Sequence, residues 1–275
     1  MIFVFYNIII IIYRMPFQSS IKNNNLFTSL EKNKLLYNQL LEIVGTANSI
    51  QGLKKDDEIY KKLHELYWVA NHKEPDKIKR AKNNAYTIYK IMPKEISLFH
   101  RSKFVDIGCG DGSITKELAK LFKFGESICV DVENWFNTYK NKNKNIGLII
   151  TNGHRISIES NSVDVILCNH VLHHMTHLDD MLREIVRILK KDGVLIVKEH
   201  NCTSRDLSHL IDIYHALFEL VYKKVQNPKF IPEYYAEYFS EREMTKKLEA
   251  LGLRRIKYFY KKNAIGNYYA VFLKK

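Results

Sequence analysis

Cysteine is scarce in this chain of 275 residues, and the four present, Cys109, Cys129, Cys168 and Cys202, are widely separated with no Cys-x-x-Cys pair. Such spacing argues against a disulfide framework and fits a reduced, cytoplasmic setting, with cysteine used as a small hydrophobe. Long apolar runs are lacking too. Residues 2–13 are interrupted by Asn7, and they fall short of the ~20 residues a spanning helix needs. They also lack the basic flank and small-residue cleavage site of a secretory signal. This stretch reads as an extended gene start or a loosely attached N-terminus, with a membrane anchor or a packed strand as rivals. Acidic residues are in deficit: 30 Asp and Glu face 43 Lys and Arg, for a net charge of +13. The excess is spread along the chain and does not form a tail. It suits RNA, DNA or an anionic surface, but Lys, Asn, Ile and Tyr are abundant together, as an AT-rich coding sequence also produces.

The length exceeds that of a typical single domain, so an enlarged domain or a core with an appendage is expected. From residue 28 to about 94 the pattern is helical. Thr28 and Glu31 resemble a capping box, Leu36, Leu40 and Val44 share a face, and Pro75-Asp76 opens a further helix. A cap or lid over a ligand and a purely structural cap are equally open readings.

The chemistry begins at residues 104–112, FVDIGCGDG. Phe104, Val105 and Ile107 suit a strand, while Gly108, Gly110 and Gly112 permit positive φ and let a ligand approach the backbone. Residues 113–122 continue at helical spacing. Strand, glycine turn and helix open a nucleotide-binding α/β sheet. The spacing Gly-x-Gly-x-Gly departs from the dinucleotide fingerprint Gly-x-Gly-x-x-Gly, which places pyrophosphate at the helix N-terminus. Asp106, two residues before the first glycine, would repel phosphate and attract a cation. S-adenosyl-L-methionine meets that requirement, with an ammonium and a sulfonium and no phosphate.

These residues resemble the first motif of the class I S-adenosylmethionine-dependent methyltransferases, and residues 104–197 follow that family's order, particularly the type 11-like branch whose fourth strand is followed by LHH. The resemblance implies an α/β fold: a doubly wound, mostly parallel seven-stranded sheet with an antiparallel last strand, plus an N-terminal helical extension. The divisions expected are residues 1–27 as an apolar N-terminal segment, 28–97 as the helical extension and 98–275 as the methyltransferase domain. Cofactor contacts are expected from Asp106, Gly108, Cys109 and Gly110 in the first motif. Asp131 and Val132 at the end of the second strand would serve the ribose. Asn152 and Gly153 stand where the family places an acidic residue for adenine; the Asn carbonyl could still receive the adenine amino group, while its amide offers a donor to a ring nitrogen. Asn169 and His170 would border the methyl group.

His170, His173, His174 and His177 are close in sequence, but Thr176 reads as the cap of the next helix. The first three then sit in a turn without metal-ligand spacing, and no metal is expected. His174, Glu199 and His200 are the candidate catalytic groups, Glu199 and His200 being placed in a loop that leaves the fifth strand. The acceptor is expected to be a small molecule. One rival is an RNA or mRNA-cap methyltransferase, suggested by Arg254, Arg255, Lys257, Lys261 and Lys262 interleaved with aromatic residues. The other is a non-catalytic cofactor-binding subunit. Lys191-Asp-Gly193 reads as a turn into the fifth strand, residues 207–225 as a helix with a broad apolar stripe, and Ser240 with Glu243 as a capping box. Aromatic residues between 227 and 239 could hold a planar acceptor or plug a core edge.

Overall fold

The computed structural model describes residues 77–93, 101–134, 146–203, 211, 236–261 and 266–275. The apolar segment 2–13, the first helices expected after residue 28, the helix expected over 207–225 and most of the aromatic run 227–239 lie outside the described residues. Chain contacts separate two compact units. The unit of residues 75–201, 239–261 and 267–275 carries the sheet and is the one described here.

Its elements, in order, are helix α1 (Lys77–Ile91), strand β1 (Lys103–Ile107), helix α2 (Ser113–Phe122), strands β2 (Glu126–Asp131), β3 (Ile146–Ile150) and β4 (Val163–Asn169), a single 3-10 turn (Leu172–His174), helix α3 (Leu178–Ile188), strand β5 (Leu189–His200), helix α4 (Glu241–Ala250) and strands β6 (Leu253–Lys261) and β7 (Asn267–Lys274). The seven strands lie in the order β3-β2-β1-β4-β5-β7-β6. β1 to β5 pair in parallel, and β7 runs antiparallel to both β5 and β6. The expected doubly wound sheet with its antiparallel last strand is thus present.

Period-two alternation along the central strands builds two cores. Val105, Ile107, Ile166, Cys168, Leu195 and Val197 join Leu182 and Ile185 of α3 and Leu248 of α4 on one side. Phe104, Val165, Leu167, Val194 and Ile196 join Ile88 of α1 and Leu118 of α2 on the other. Strands buried on both faces read as continuous apolar runs, which is why β4 shows as VDVILCN and β5 contains VLIV. Helix α1, expected as the third helix of the extension, packs directly into the second core through Ala85 and Ile88. Lys198 of β5 reinforces this by donating to Asn84 Oδ1 at 2.8 Å.

Three local expectations change. The turn expected at residues 191–193 is an irregularity inside β5: Asp192 takes φ 59° and the β4–β5 register shifts between Val163 and Val165. Strand β5 continues through His200, so Glu199 and His200 are buried strand residues. Their ladder with Tyr268 and Asn267 of β7 extends the strand by that much. Thr176 does not cap α3, which starts at Leu178 with His177 at the N-cap and no side-chain cap; Asp179 and Asp180 supply negative charge to its first turn instead. The capping box expected from Ser240 and Glu243 is present.

Ile166 sits at the centre of the sheet between β1 and β5 and is fully buried. Ile166→Ala is expected to lower unfolding free energy by about 2–4 kcal/mol, because the packed neighbours cannot collapse into the space left. Denaturant unfolding measures this, and a loss below about 1 kcal/mol would contradict the packing described.

Candidate functional site

Parallel strands present their carboxyl ends on one edge of the sheet, and ligands bind there. At that edge the glycine turn after β1 is tied to the end of β2. Gly108 N–H donates to Val130 C=O at 2.8 Å and Cys109 N–H to the same oxygen at 3.4 Å. Gly110 N–H donates to Asp131 Oδ2 at 2.8 Å, while Asp131 Oδ1 accepts from Val132 N–H at 2.8 Å. Three successive amides that could cradle a phosphate are therefore turned to β2. A phosphate would meet a carboxylate in their place. The turn takes φ 67° at Gly108 and 56° at Gly110. A Cβ at Gly108 would collide with the side chain of Val171, so this position admits glycine on two counts.

Asp106 stands beneath the turn. Alternation along β1 puts it on the same side as Phe104, toward α2, where it is 3% exposed and accepts from Thr115 Oγ1 at 2.6 Å. Burial raises its pKa from the ordinary 3.8 to about 7; the Thr115 hydrogen bond pulls the other way and the charge of Asp131 adds to the rise. Its immediate partner is thus a buried hydroxyl, and it supports the turn from behind. Cys109 is half-buried, and its thiol is pushed up by its interaction with Cys129 and by burial, so it stays protonated.

The loop after β3 is also pinned. Asn152 Oδ1 accepts from the N–H groups of His154 at 3.1 Å and Arg155 at 3.2 Å. Its carbonyl, expected to receive an adenine amino group, is engaged with its own loop, leaving the amide as the donor it can offer. Gly153, at φ 83°, donates to Thr151 Oγ1 at 3.2 Å. Beside this loop Val132 and Ile150 are 59% and 51% exposed, a pair of large apolar side chains in water at the ends of adjacent strands. Ile150 escaped the sequence reading because an apolar residue ending a strand gives no signal of exposure.

The ends of β4 and β5 carry a polar cluster. Glu199 is 4% exposed; its Oε1 accepts from Val171 N–H and Leu172 N–H, each at 2.8 Å, and its Oε2 lies 2.6 Å from His173 Nδ1. Burial raises the Glu199 pKa, while His200 and the backbone N–H groups of Leu172 and Val171 work against the rise. His170 adopts φ 53°, an uncommon conformation for a non-glycine residue. Its ring lies 4.5 Å from that of His200. Burial, with His173 beside it, pushes His200 down to about 3, so it is neutral at ordinary pH. His174 is exposed, its ring 4.0 Å from that of His173. The structure thus brings His173, Glu199 and His200 together with His170 and leaves His174 at the rim. The sequence reading grouped His173 with the turn histidines and missed its pairing with Glu199; the signal was a Glu ending the strand adjacent to β4. Tyr268, opposite Glu199 on β7, has a buried hydroxyl with no hydrogen-bond partner among the described residues.

Residues 105–197 match the family model described as a methyltransferase domain. Over that span the chain carries a methyltransferase domain, on the fold of the S-adenosylmethionine-dependent methyltransferases. It is 28% identical over 167 residues to a ubiquinone biosynthesis O-methyltransferase of Pelagibacter ubique, covering 57% of this chain and 68% of that relative. It is 30% identical over 111 residues to a ubiquinone/menaquinone biosynthesis C-methyltransferase of Hydrogenovibrio crunogenus, covering 38% of this chain and 44% of that one. A solved S-adenosylmethionine-dependent methyltransferase from Archaeoglobus fulgidus superposes with a TM-score of 0.53 at 16% identity, covering 76% of this chain and 99% of that structure. That likeness shows the shared fold.

S-adenosyl-L-methionine is the cofactor of this methyltransferase, and the residues present fit it. Asn169 Oδ1 at the end of β4 is buried with no hydrogen-bond partner among the described residues, an acceptor suited to an ammonium. A Cβ at Gly110 would meet nothing within 4 Å, so the backbone there is open to close approach. When bound, the cofactor supplies an electrophilic methyl group on a sulfonium. No helix among the described residues is long and apolar enough to cross a membrane.

The raised pKa of Asp106 has a measurable consequence. Its folded value, about 7, lies above the ordinary 3.8, so the stability it contributes is fully present below pH ~4 and is lost as pH rises through 7. Asp106→Asn is expected to flatten this fall and to make the enzyme more stable than wild type at pH 8, with the advantage shrinking toward pH 4. Denaturant unfolding across that range checks the sign, and a wild-type stability that rises from pH 5 to pH 8 in step with the variant would refute it.

Proposed function

We propose that this methyltransferase transfers the methyl group to a small-molecule acceptor that loses a proton from oxygen or from an activated carbon. Gly108, Cys109 and Gly110 line the cofactor beside its methionine end, with the ammonium on Asn169 and on the His170 backbone. Asp106 acts from beneath them: its buried charge favours a cation above the turn. Asp131 receives the ribose hydroxyls, while Val132 and Ile150 cover the adenine faces and the Asn152 amide and Gly153 border its edge. Chemistry then needs little more than alignment, since holding the nucleophile about 3 Å away in line is worth roughly 7–11 kcal/mol.

The observation that carries the acceptor reading is the set of buried Glu199, His173 and His200 with half-buried His170 beside the turn. It is a compact group of imidazole and carboxylate character, with the His170 and His200 rings 4.5 Å apart and His173 2.6 Å from Glu199. Glu199 is a positioning residue: it fixes the backbone of Val171 and Leu172 and holds the proton of His173 on Nδ1. His174 at the rim contacts the acceptor. His200, with its pKa near 3, is too weak a base to take a proton at neutral pH and serves as a polar wall. The relatives named for ubiquinone biosynthesis support an acceptor of the hydroxylated aromatic class.

The RNA reading rests on Arg254, Arg255 and Lys257 with exposed Tyr258, Phe259 and Tyr260 on β6. That edge lies four strand steps from β1, about 19 Å at the usual strand spacing, which places it away from the glycine turn.

Labelled S-adenosylmethionine offered with hydroxylated aromatic acceptors or with transcribed RNA separates these readings. Transfer to a small acceptor is expected; transfer to RNA alone would overturn the proposal. Glu199→Gln is expected to lower kcat by about 10–100-fold with cofactor affinity little changed and an altered pH profile. Wild-type kcat with an unchanged pH profile would remove Glu199 from this role.

A further inference from the structure

The seam between the loop after β3 and helix α3 holds a second cluster of chemical groups, separate from the glycine turn. His154 on the loop, His177 at the N-cap of α3 and Asp180 in its first turn are all exposed, and each presents a ligand atom lying within 4.8 Å of the other two. The His154 and His177 rings face each other with centroids 4.1 Å apart. We propose that His154, His177 and Asp180 form a divalent-cation site of the zinc class, completed by water, that staples the Asn152-bearing loop to α3.

Two imidazoles and a carboxylate are a borderline-soft donor set that zinc accepts, with a fourth position left to water. In a tetrahedral site with bonds of about 2.0–2.1 Å, ligand atoms are separated by about 3.3 Å. Small side-chain rotations suffice to reach that from the present spacing. Backbone rearrangement is not required.

The seam is already held by the protein, which lowers the cost of assembling the site. Ile156 N–H donates to Glu184 Oε2 at 3.1 Å, and Arg187 donates to Ile158 C=O at 2.9 Å and Ile156 C=O at 3.0 Å. Asn152 fixes the backbone of His154 itself. Thus loop and helix are in register before any ion arrives. Arg183 donates to Asp180 Oδ1 at 2.5 Å, which orients the carboxylate while leaving its second oxygen for a cation.

This trio differs from the histidines that the sequence suggests. His170, His173 and His174 belong to the turn after β4, whereas His177 finds its partner 23 residues upstream, across a loop whose path the sequence does not reveal. None of its three residues belongs to the cofactor or acceptor groups described above.

The test is calorimetric titration of the chelator-treated full chain with zinc chloride, alongside His154→Ala and His177→Ala. Both positions are exposed, so the variants are expected to fold, which circular dichroism verifies. One zinc per wild-type chain is expected, bound at least about tenfold more tightly than by either variant. Zinc should also raise the thermal midpoint of wild type and leave that of His177→Ala unmoved. Cobalt(II) in place of zinc should give the visible absorption of a four-coordinate nitrogen and oxygen site in wild type only. Equal zinc affinity in wild type and both variants would overturn the proposal. So would an absence of binding by wild type at ~100 μM zinc, a concentration well above that needed by a site with two imidazole ligands.

Discussion

The hold that β2 takes on the glycine turn is the constraint on which the rest of the site depends. Val130 C=O and the Asp131 carboxylate take the N–H groups of Gly108, Cys109 and Gly110. Ordering a turn with glycines at 108 and 110 costs conformational entropy, which these bonds offset. The same bonds decide the class of ligand: amides consumed by β2 cannot wrap a phosphate, and the carboxylate that consumes one of them favours hydroxyl donors and cations. The segment after β4 packs onto this turn, because Val171 fills the space that a side chain at Gly108 would need.

Behind the turn, buried acidity adds a second layer. Burial raises the cost of ionising Asp106, and the nearby charge of Asp131 adds to it. A cation above the turn relieves that burden. Farther along the same edge, Glu199 performs a parallel task for the 3-10 turn, gathering two backbone amides and one imidazole around a single buried carboxylate. Both acids organise backbone that faces the ligand, so loss of either would be felt as altered geometry as well as altered charge.

The sheet was legible because strands buried on both faces leave uninterrupted apolar runs, and because three glycines at alternate positions have few structural readings. Asp131 ends β2 where the sequence placed it, and there its carboxylate accepts from Gly110 and Val132 N–H. What escaped notice depended on neighbours in space. Asn152 looked like an adenine acceptor until its carbonyl was found holding His154 and Arg155. Glu199 and His200 looked like loop residues because polar side chains seldom end a buried strand, yet the ladder to β7 carries them inside. Thr176 looked like a helix cap, but the 3-10 turn and the three residues after it set the start of α3 at Leu178, with His177 as its N-cap. His173 is indistinguishable from His174 in sequence, and only the placement of Glu199 separates them.

Because β2 is held to both organise the turn and receive the ribose, the most direct measurement is calorimetric binding of S-adenosylhomocysteine to wild type and to Asp131→Ala and Asp106→Ala. Loss of a charged hydrogen-bond acceptor is expected to weaken binding to Asp131→Ala by about 10–100-fold, with a smaller loss for Asp106→Ala, whose carboxylate acts from beneath the turn. Wild-type affinity in both variants would contradict the account.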